Sequence, residues 1–216
     1  MNKIPVPNDS IYEFFLDSSL VESYLDQIKK SPNIEYGTTM HKAANTASYV
    51  TYGLPVPDLP ELFDSIQNCI DEVAFLKFGT KNLSINDMWV VKSEFGQKAI
   101  RHFHSNSILS GILYLQDHGI TTEFFPEDNF YNKFQQGKIF ITAKDNSEIT
   151  KIEPQLGKLL IFPSYIIHSV PVNRTKSTRY TLAFNTFFSG LICSEPTQVL
   201  ELHVSKNFLN NTKTKT

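Results

Sequence analysis

Near residue 85 the spacing of apolar side chains changes from helical to alternating, and that change limits the folds open to the chain. Downstream the segments are short: DMWVVKSEF, IRHFHSN, ILSGILYLQ, TTEFFP, KIFITAK, EITKIEP, GKLLIFPSYIIHSVPV and RYTLAFNTFF, with turn residues between them. A period of two sends successive side chains to opposite faces of a strand, so this series predicts a jelly-roll or related β-barrel. The aromatic content of 12%, with 17 Phe and 9 Tyr, agrees with a β-rich core.

Upstream the period is helical. In LVESYLDQIKK, Leu20, Tyr24, Leu25 and Ile28 share a face, Ser18 or Ser19 stands where a cap is needed, and Pro32 follows the end. From Pro60 to Gly79, Leu62, Ile66, Ile70, Val73 and Leu76 share another face, with Pro60 suited to the first turn and Gly79 to the stop. Residues 33–59 read as a loop with one short strand near Ser48 to Tyr52. The predicted layout is mainly β with N-terminal helices. A helical extension over 1–84 packs on a core over 85–190, and an extension over 191–216 ends in a polar, solvated tail.

With 20 Lys+Arg against 22 Asp+Glu, the formal charge is −2, so no strong field favours nucleic acid or an anionic membrane. Cys69 and Cys193 make neither a disulfide framework nor a zinc site and fit a reducing compartment. The opening MNKIPVPNDSIYEFF lacks an apolar run of signal-peptide length and no later segment approaches a membrane span, so the expected location is cytoplasmic.

Chemistry enters with the histidines: His41, His102, His104, His118, His168 and His203. In a strand, residues two apart project to one side, so His102 and His104 can converge on one ion while Phe103 points away. His118 beside Gly119 and His203 beyond the core read as solvated side chains, and His41 falls in the loop. Gly157 opens an apolar strand that leads to His168, and Arg179-Tyr180-Thr181 follows on a further strand.

The order His-x-His, SGILYLQ, G-K-L-L-I-F-P-S-x-x-x-H and R-Y-T-L-A-F-N resembles the iron- and 2-oxoglutarate-dependent oxygenases, in particular a prolyl-hydroxylase-like branch with members in bacteria and phages. The resemblance covers roughly residues 85–190 and implies a double-stranded β-helix. It implies His102 as the first iron ligand and His168 as the distal one. Where that family usually has Asp or Glu, this chain has His104. Three ligand sets stay open: three histidines, which we prefer; a carboxylate from Glu123, Glu127 or Asp128; or His104 with His168 and His102 outside.

Arg179 resembles the family's cosubstrate arginine, able to grip the far carboxylate of 2-oxoglutarate through two parallel hydrogen bonds, with Thr181 and Tyr114 assisting. Asn185 lies on the same alternating face, where it contacts cosubstrate or substrate or is simply a satisfied polar group. Trp89 reads as core, and Ser110-Gly111 as a bulge or a close backbone approach. Residues 124–138 suit a substrate-side loop or a plain surface excursion.

The function implied is an Fe(II)- and 2-oxoglutarate-dependent dioxygenase using O2, a hydroxylase acting on a small-molecule or peptidyl substrate. The alternatives are a three-histidine cupin-type enzyme without 2-oxoglutarate and an inactive jelly-roll binding protein. Neither substrate nor oligomeric state is legible in the sequence.

Overall fold

A computed structural model describes residues 1–6, 9–30, 37–38, 48–50, 60–125, 149–192 and 200–203, with 37–38 and 48–50 as backbone. His41, Glu127, Asp128, Cys193, the strand expected at KIFITAK and the C-terminal tail lie outside the described residues. The elements are β1 (Asn2–Val6), β2 (Asp9–Phe15), α1 (Ser18–Lys30), β3 (Gly37–Thr38), β4 (Ser48–Val50) and α2 (Pro60–Phe78). After them come β5 (Leu83–Ser93), β6 (Ala99–His102), β7 (Leu109–Tyr114), β8 (Thr122–Phe124) and β9 (Thr150–Ile152). The chain continues through β10 (Lys158–Pro163), β11 (His168–Val170), β12 (Arg179–Phe188), β13 (Gly190–Ile192) and β14 (Leu200–Leu202).

An eight-stranded sheet in the order β1-β2-β10-β7-β12-β5-β4-β3 faces a four-stranded sheet in the order β6-β11-β8-β9, a jelly-roll barrel as the alternating segments predict and the double-stranded β-helix that the family resemblance implies. GKLLIFPSYIIHSVPV divides into two strands in different sheets, β10 and β11, at the turn after Pro163. The period of two separates two cores. Leu182 and Phe184 of β12, Val90 of β5 and Leu113 of β7 point outward beneath the helices. Ile112 and Tyr114, Leu160 and Phe162, and Phe124 point into the barrel.

Helix α1 buries Val21, Tyr24, Leu25 and Ile28, with Leu20 at the margin. Its cap is Asp17 rather than Ser18 or Ser19, since Asp17 Oδ1 accepts from the amides of Ser19 at 2.8 Å and Leu20 at 3.2 Å. A carboxylate also suits the positive end of the helix. Helix α2 buries Leu62, Ile66, Ile70, Val73 and Ala74. Leu76, expected on that face, is 55% exposed. Its place on the face falls to the next residue, Lys77, whose Nζ lies 2.6 Å from Asp9 Oδ1 at the start of β2, while the Tyr165 hydroxyl donates to the other Asp9 oxygen. No helix among the described residues is long and apolar enough to cross a membrane.

The first fifteen residues supply strands that the period alone does not reveal. β2 pairs with β10, Leu160 opposite Glu13 and Ile161 opposite Tyr12. Its side chains are apolar on both faces, Ile11 toward the barrel and Tyr12 and Phe14 toward the helices, so no alternation marks it. Pro5 is tolerated because β1 is the sheet's edge.

Gly111 is the close backbone approach of the Ser110-Gly111 pair. It stands opposite Phe184 in the β7–β12 register, and a Cβ there would lie 2.1 Å from the tip of that ring. Phe184 is fully buried under the helices, so its ring cannot withdraw into solvent. We predict that Gly111→Ala destabilises the fold by about 1–3 kcal/mol in urea unfolding, as overpacking does, and that adding Phe184→Leu recovers part of the loss. An unchanged midpoint in Gly111→Ala would refute the close packing.

Candidate metal centre and anion pocket

Three imidazoles meet where the small sheet closes on the barrel. The β11–β6 register sets His168 opposite His102, so both rings leave the same rung. His104 arrives differently. β6 ends at His102, the chain departs from the sheet, and the His104 amide donates to the Ser164 carbonyl at 2.9 Å, in the turn between β10 and β11. Convergence therefore rests on a backbone anchor as well as on strand parity, while Phe103 points outward at 59% exposure.

One ligand atom from each of His102, His104 and His168 lies within 4.8 Å of the others. His102 Nδ1 lies 2.7 Å from the Ile100 carbonyl, and His168 Nδ1 lies 3.0 Å from the Ile166 carbonyl. A carbonyl has no proton to give, so both Nδ1 atoms carry hydrogen and both Nε2 lone pairs face the centre. His104 Nε2 and His168 Nε2 are 3.3 Å apart, and with His168 Nε2 bare, His104 donates across that gap.

Burial holds all three rings neutral, the form that ligates metals. Desolvation, followed by repulsion from His102, lowers the His104 pKa from 6.5 to about 4. Desolvation, aided by His102 and His104, pulls His168 well below its ordinary value, and desolvation lowers His102 despite the Ile100 hydrogen bond.

Of the carboxylates considered in place of a third imidazole, Glu123 is turned away. It follows Thr122 and precedes Phe124, both inward, and it pairs with Lys151 at 3.4 Å and accepts from Ser169 Oγ at 3.4 Å.

Arg179 sits deeper, 2% exposed, with Nη2 donating to Thr122 Oγ1 at 3.3 Å. The Tyr114 hydroxyl donates to the same oxygen at 2.7 Å. Desolvation raises the Tyr114 pKa against the pull of Arg179, keeping a neutral phenol as donor. Thr181 is opposite Tyr114 in register and two residues from Arg179, so the three side chains share the inner face. Arg179 Nε is buried without a hydrogen-bond partner, and among the described residues no carboxylate pairs with this guanidinium. A buried cation so placed calls for an anion.

β8 links the two clusters. Phe124 faces the His168 ring at 5.9 Å between centroids, and Thr122, two residues back on the same face, holds Arg179. Two residues of strand separate these rungs by about 7 Å.

Asn185 is not brought to Arg179. Six residues along β12, roughly 20 Å away, its Oδ1 accepts from Ser110 Oγ at 2.8 Å. Ser110 Oγ in turn lies 2.8 Å from Ser164 Oγ. Trp89, expected in the core, is half-buried with its ring 5.7 Å from that of His104. Thr122 and Ser164 are site residues that the sequence reading does not single out. Thr122 is accessible in principle, since alternation in TTEFF places it with Phe124, whereas Ser164 acts through its carbonyl, which side-chain identity does not reveal.

Residues 87–185 match the family model described as "Putative 2OG-Fe(II) oxygenase". The match takes in His102, His104, His168 and Arg179. No curated protein matches the chain by sequence. Among solved structures, the non-heme alpha ketoglutarate dependent epimerase SnoN from nogalamycin biosynthesis superposes with a TM-score of 0.59 at 15% identity, covering 83% of this chain and 79% of that one. A Trichoplax adhaerens prolyl hydroxylase, solved with a hypoxia inducible factor peptide fragment, gives 0.58 at 17% over 82% and 83%. A Pseudomonas putida prolyl-4-hydroxylase gives 0.56 at 16% over 83% and 93%. At such identities these likenesses concern the fold, the double-stranded β-helix of 2OG-Fe(II) oxygenases.

The depressed histidine pKa values carry a pH signature. A folded value near 4 against 6.5 unfolded means that the unfolded chain takes up protons first as pH falls. We predict that the thermal midpoint of the metal-free protein is insensitive to His104 above pH 6.5 and falls as pH drops from there toward about 4. His104→Gln should flatten part of that slope in a pH series of thermal melts; an identical slope would show that His104 titrates as in the unfolded chain.

Proposed function

We propose that this chain is an active non-haem Fe(II)- and 2-oxoglutarate-dependent oxygenase, a hydroxylase of a small-molecule or peptidyl substrate. The observation that carries the reading is the pairing of three converging imidazoles with a buried guanidinium that has no carboxylate partner among the described residues. His102, His104 and His168 hold the metal, and Arg179, Thr181 and Tyr114 hold the far carboxylate of the cosubstrate. A gap of about 7 Å along β8 is one that a five-carbon dicarboxylate spans.

Each group has a definable task. The Ile100 and Ile166 carbonyls keep His102 and His168 in the tautomer that offers Nε2. To ligate, His104 moves its Nε2 proton to Nδ1 and turns its lone pair to the centre instead of donating to His168. Arg179 supplies charge and a planar pair of donors, which orient the dicarboxylate and leave its keto-acid end toward the imidazoles. Phe124 and Phe162, packed on His168, exclude water from one side of the cluster. The bound iron would supply the redox chemistry, coupling O2 reduction and oxidative decarboxylation of 2-oxoglutarate to substrate oxidation.

Three imidazoles without a carboxylate also suit a metalloenzyme that uses no 2-oxoglutarate. Arg179 argues against it, because that reaction would leave the buried guanidinium without an anion. Support for hydroxylation comes from the prolyl hydroxylases among the fold relatives, although an epimerase and a carbocyclase stand beside them.

With Fe(II), O2 and 2-oxoglutarate, the protein is expected to release succinate, detected by mass spectrometry. His168→Ala should abolish release. Arg179→Gln should lower turnover at limiting 2-oxoglutarate by about a hundredfold, the scale of losing a charge-assisted bidentate contact. Succinate formation by His168→Ala at the wild-type rate would overturn the assignment.

A further inference from the structure

The donors gathered at the metal centre carry no charge. Imidazole ligates a metal as the neutral ring, Glu123 is engaged with Lys151 on the other face of β8, and among the described residues the cluster contains no carboxylate. The neighbouring pocket adds a positive charge, Arg179. A divalent cation entering alone would place further positive charge in a partly desolvated space where the described residues supply no anion, and uncompensated charge in such surroundings is costly. A dicarboxylate reaching from the imidazoles to Arg179 offsets both cations at once.

We propose that His104 makes metal capture in this chain conditional on the anion: metal and dicarboxylate load as a pair, and the metal alone is held weakly. The proposal rests on the oxygenase reading above. Any keto-acid that chelates a metal raises that metal's affinity to some degree. The gain here exceeds that of the same pocket with a carboxylate at position 104. Coupling is reciprocal, so 2-oxoglutarate binds correspondingly poorly without metal. The physiological consequence is a site that follows cosubstrate supply and does not retain a redox-active ion when 2-oxoglutarate is scarce.

Mn(II) tests this without turnover. Free Mn(II) is counted by electron paramagnetic resonance. Trp89, the single tryptophan, stands 5.7 Å from the His104 ring and reports occupancy by its fluorescence. The dissociation constant is measured with and without 2-oxoglutarate in the wild type and in His104→Asp, with circular dichroism to confirm folding. The expected result is that His104→Asp binds Mn(II) alone at least about tenfold more tightly and that 2-oxoglutarate tightens Mn(II) binding at least about tenfold more in the wild type than in the variant.

Equal enhancement in the two chains overturns the role of His104 and leaves the oxygenase reading standing. No enhancement in either overturns that reading and this proposal with it. Should His104→Asp fail to fold or to bind Mn(II), the decision falls to Glu127→Gln combined with Asp128→Asn, the remaining carboxylates considered from the sequence. An unchanged wild-type affinity supports a neutral donor set, and a loss of about tenfold shows that one of these carboxylates completes it and overturns the proposal.

Discussion

The parity of β12 is the constraint on which the site depends. This strand lies between β5 and β7 and is committed on both faces, Leu182 and Phe184 under the helices and Arg179 and Thr181 in the barrel. A slip of one residue would send Arg179 outward and bring Tyr180 in. Such a slip would also push Phe184 off Gly111, where the missing side chain makes room for its ring. The outer core thus fixes the register, and the register delivers the guanidinium. Packing that never touches the anion pocket decides which side chain lines it.

A second dependence runs through the turn between β10 and β11. Its first residue, Ser164, binds the His104 amide through its carbonyl and shares hydroxyl contacts with Ser107 and Ser110. Tyr165 reaches Asp9, which also holds Lys77 of α2. One turn therefore ties together the N-terminal strand, a helix end and a metal-centre histidine. Gly157, at the other end of β10, is likewise fixed: its φ is 78°, and a side chain there would bring its Cβ within 2.8 Å of the Leu16 carbonyl oxygen.

Most of this is legible where one face of an element is apolar and the other polar. The helical face led by Ile66 and the alternating segments around Leu109 and Leu182 announce themselves through their period, and the spacing from His102 to Arg179 brings the site with them. β2 stays hidden because Ile11, Tyr12 and Phe14 are all buried, which erases the alternation. The Asp17 cap, the Trp89 ring beside His104 and the separation of Asn185 from Arg179 depend on distances between segments, and spacing along the chain does not encode those. Thr122 illustrates the boundary: its face can be read from TTEFF, but its two bonds to Tyr114 and Arg179 cannot.

The partners that orient His102 and His168 are main-chain carbonyls, those of Ile100 and Ile166. In metal sites where a carboxylate performs this task, one codon change removes it. Here no substitution at either position deletes the acceptor, because every residue brings the same carbonyl. The ligand geometry is thereby insulated from sequence drift so long as the strands keep their course. Solved structures that share only 9–17% of their residues with this chain keep the same barrel, and in this chain the orientation of the two imidazoles asks no more of the sequence than that the barrel persist.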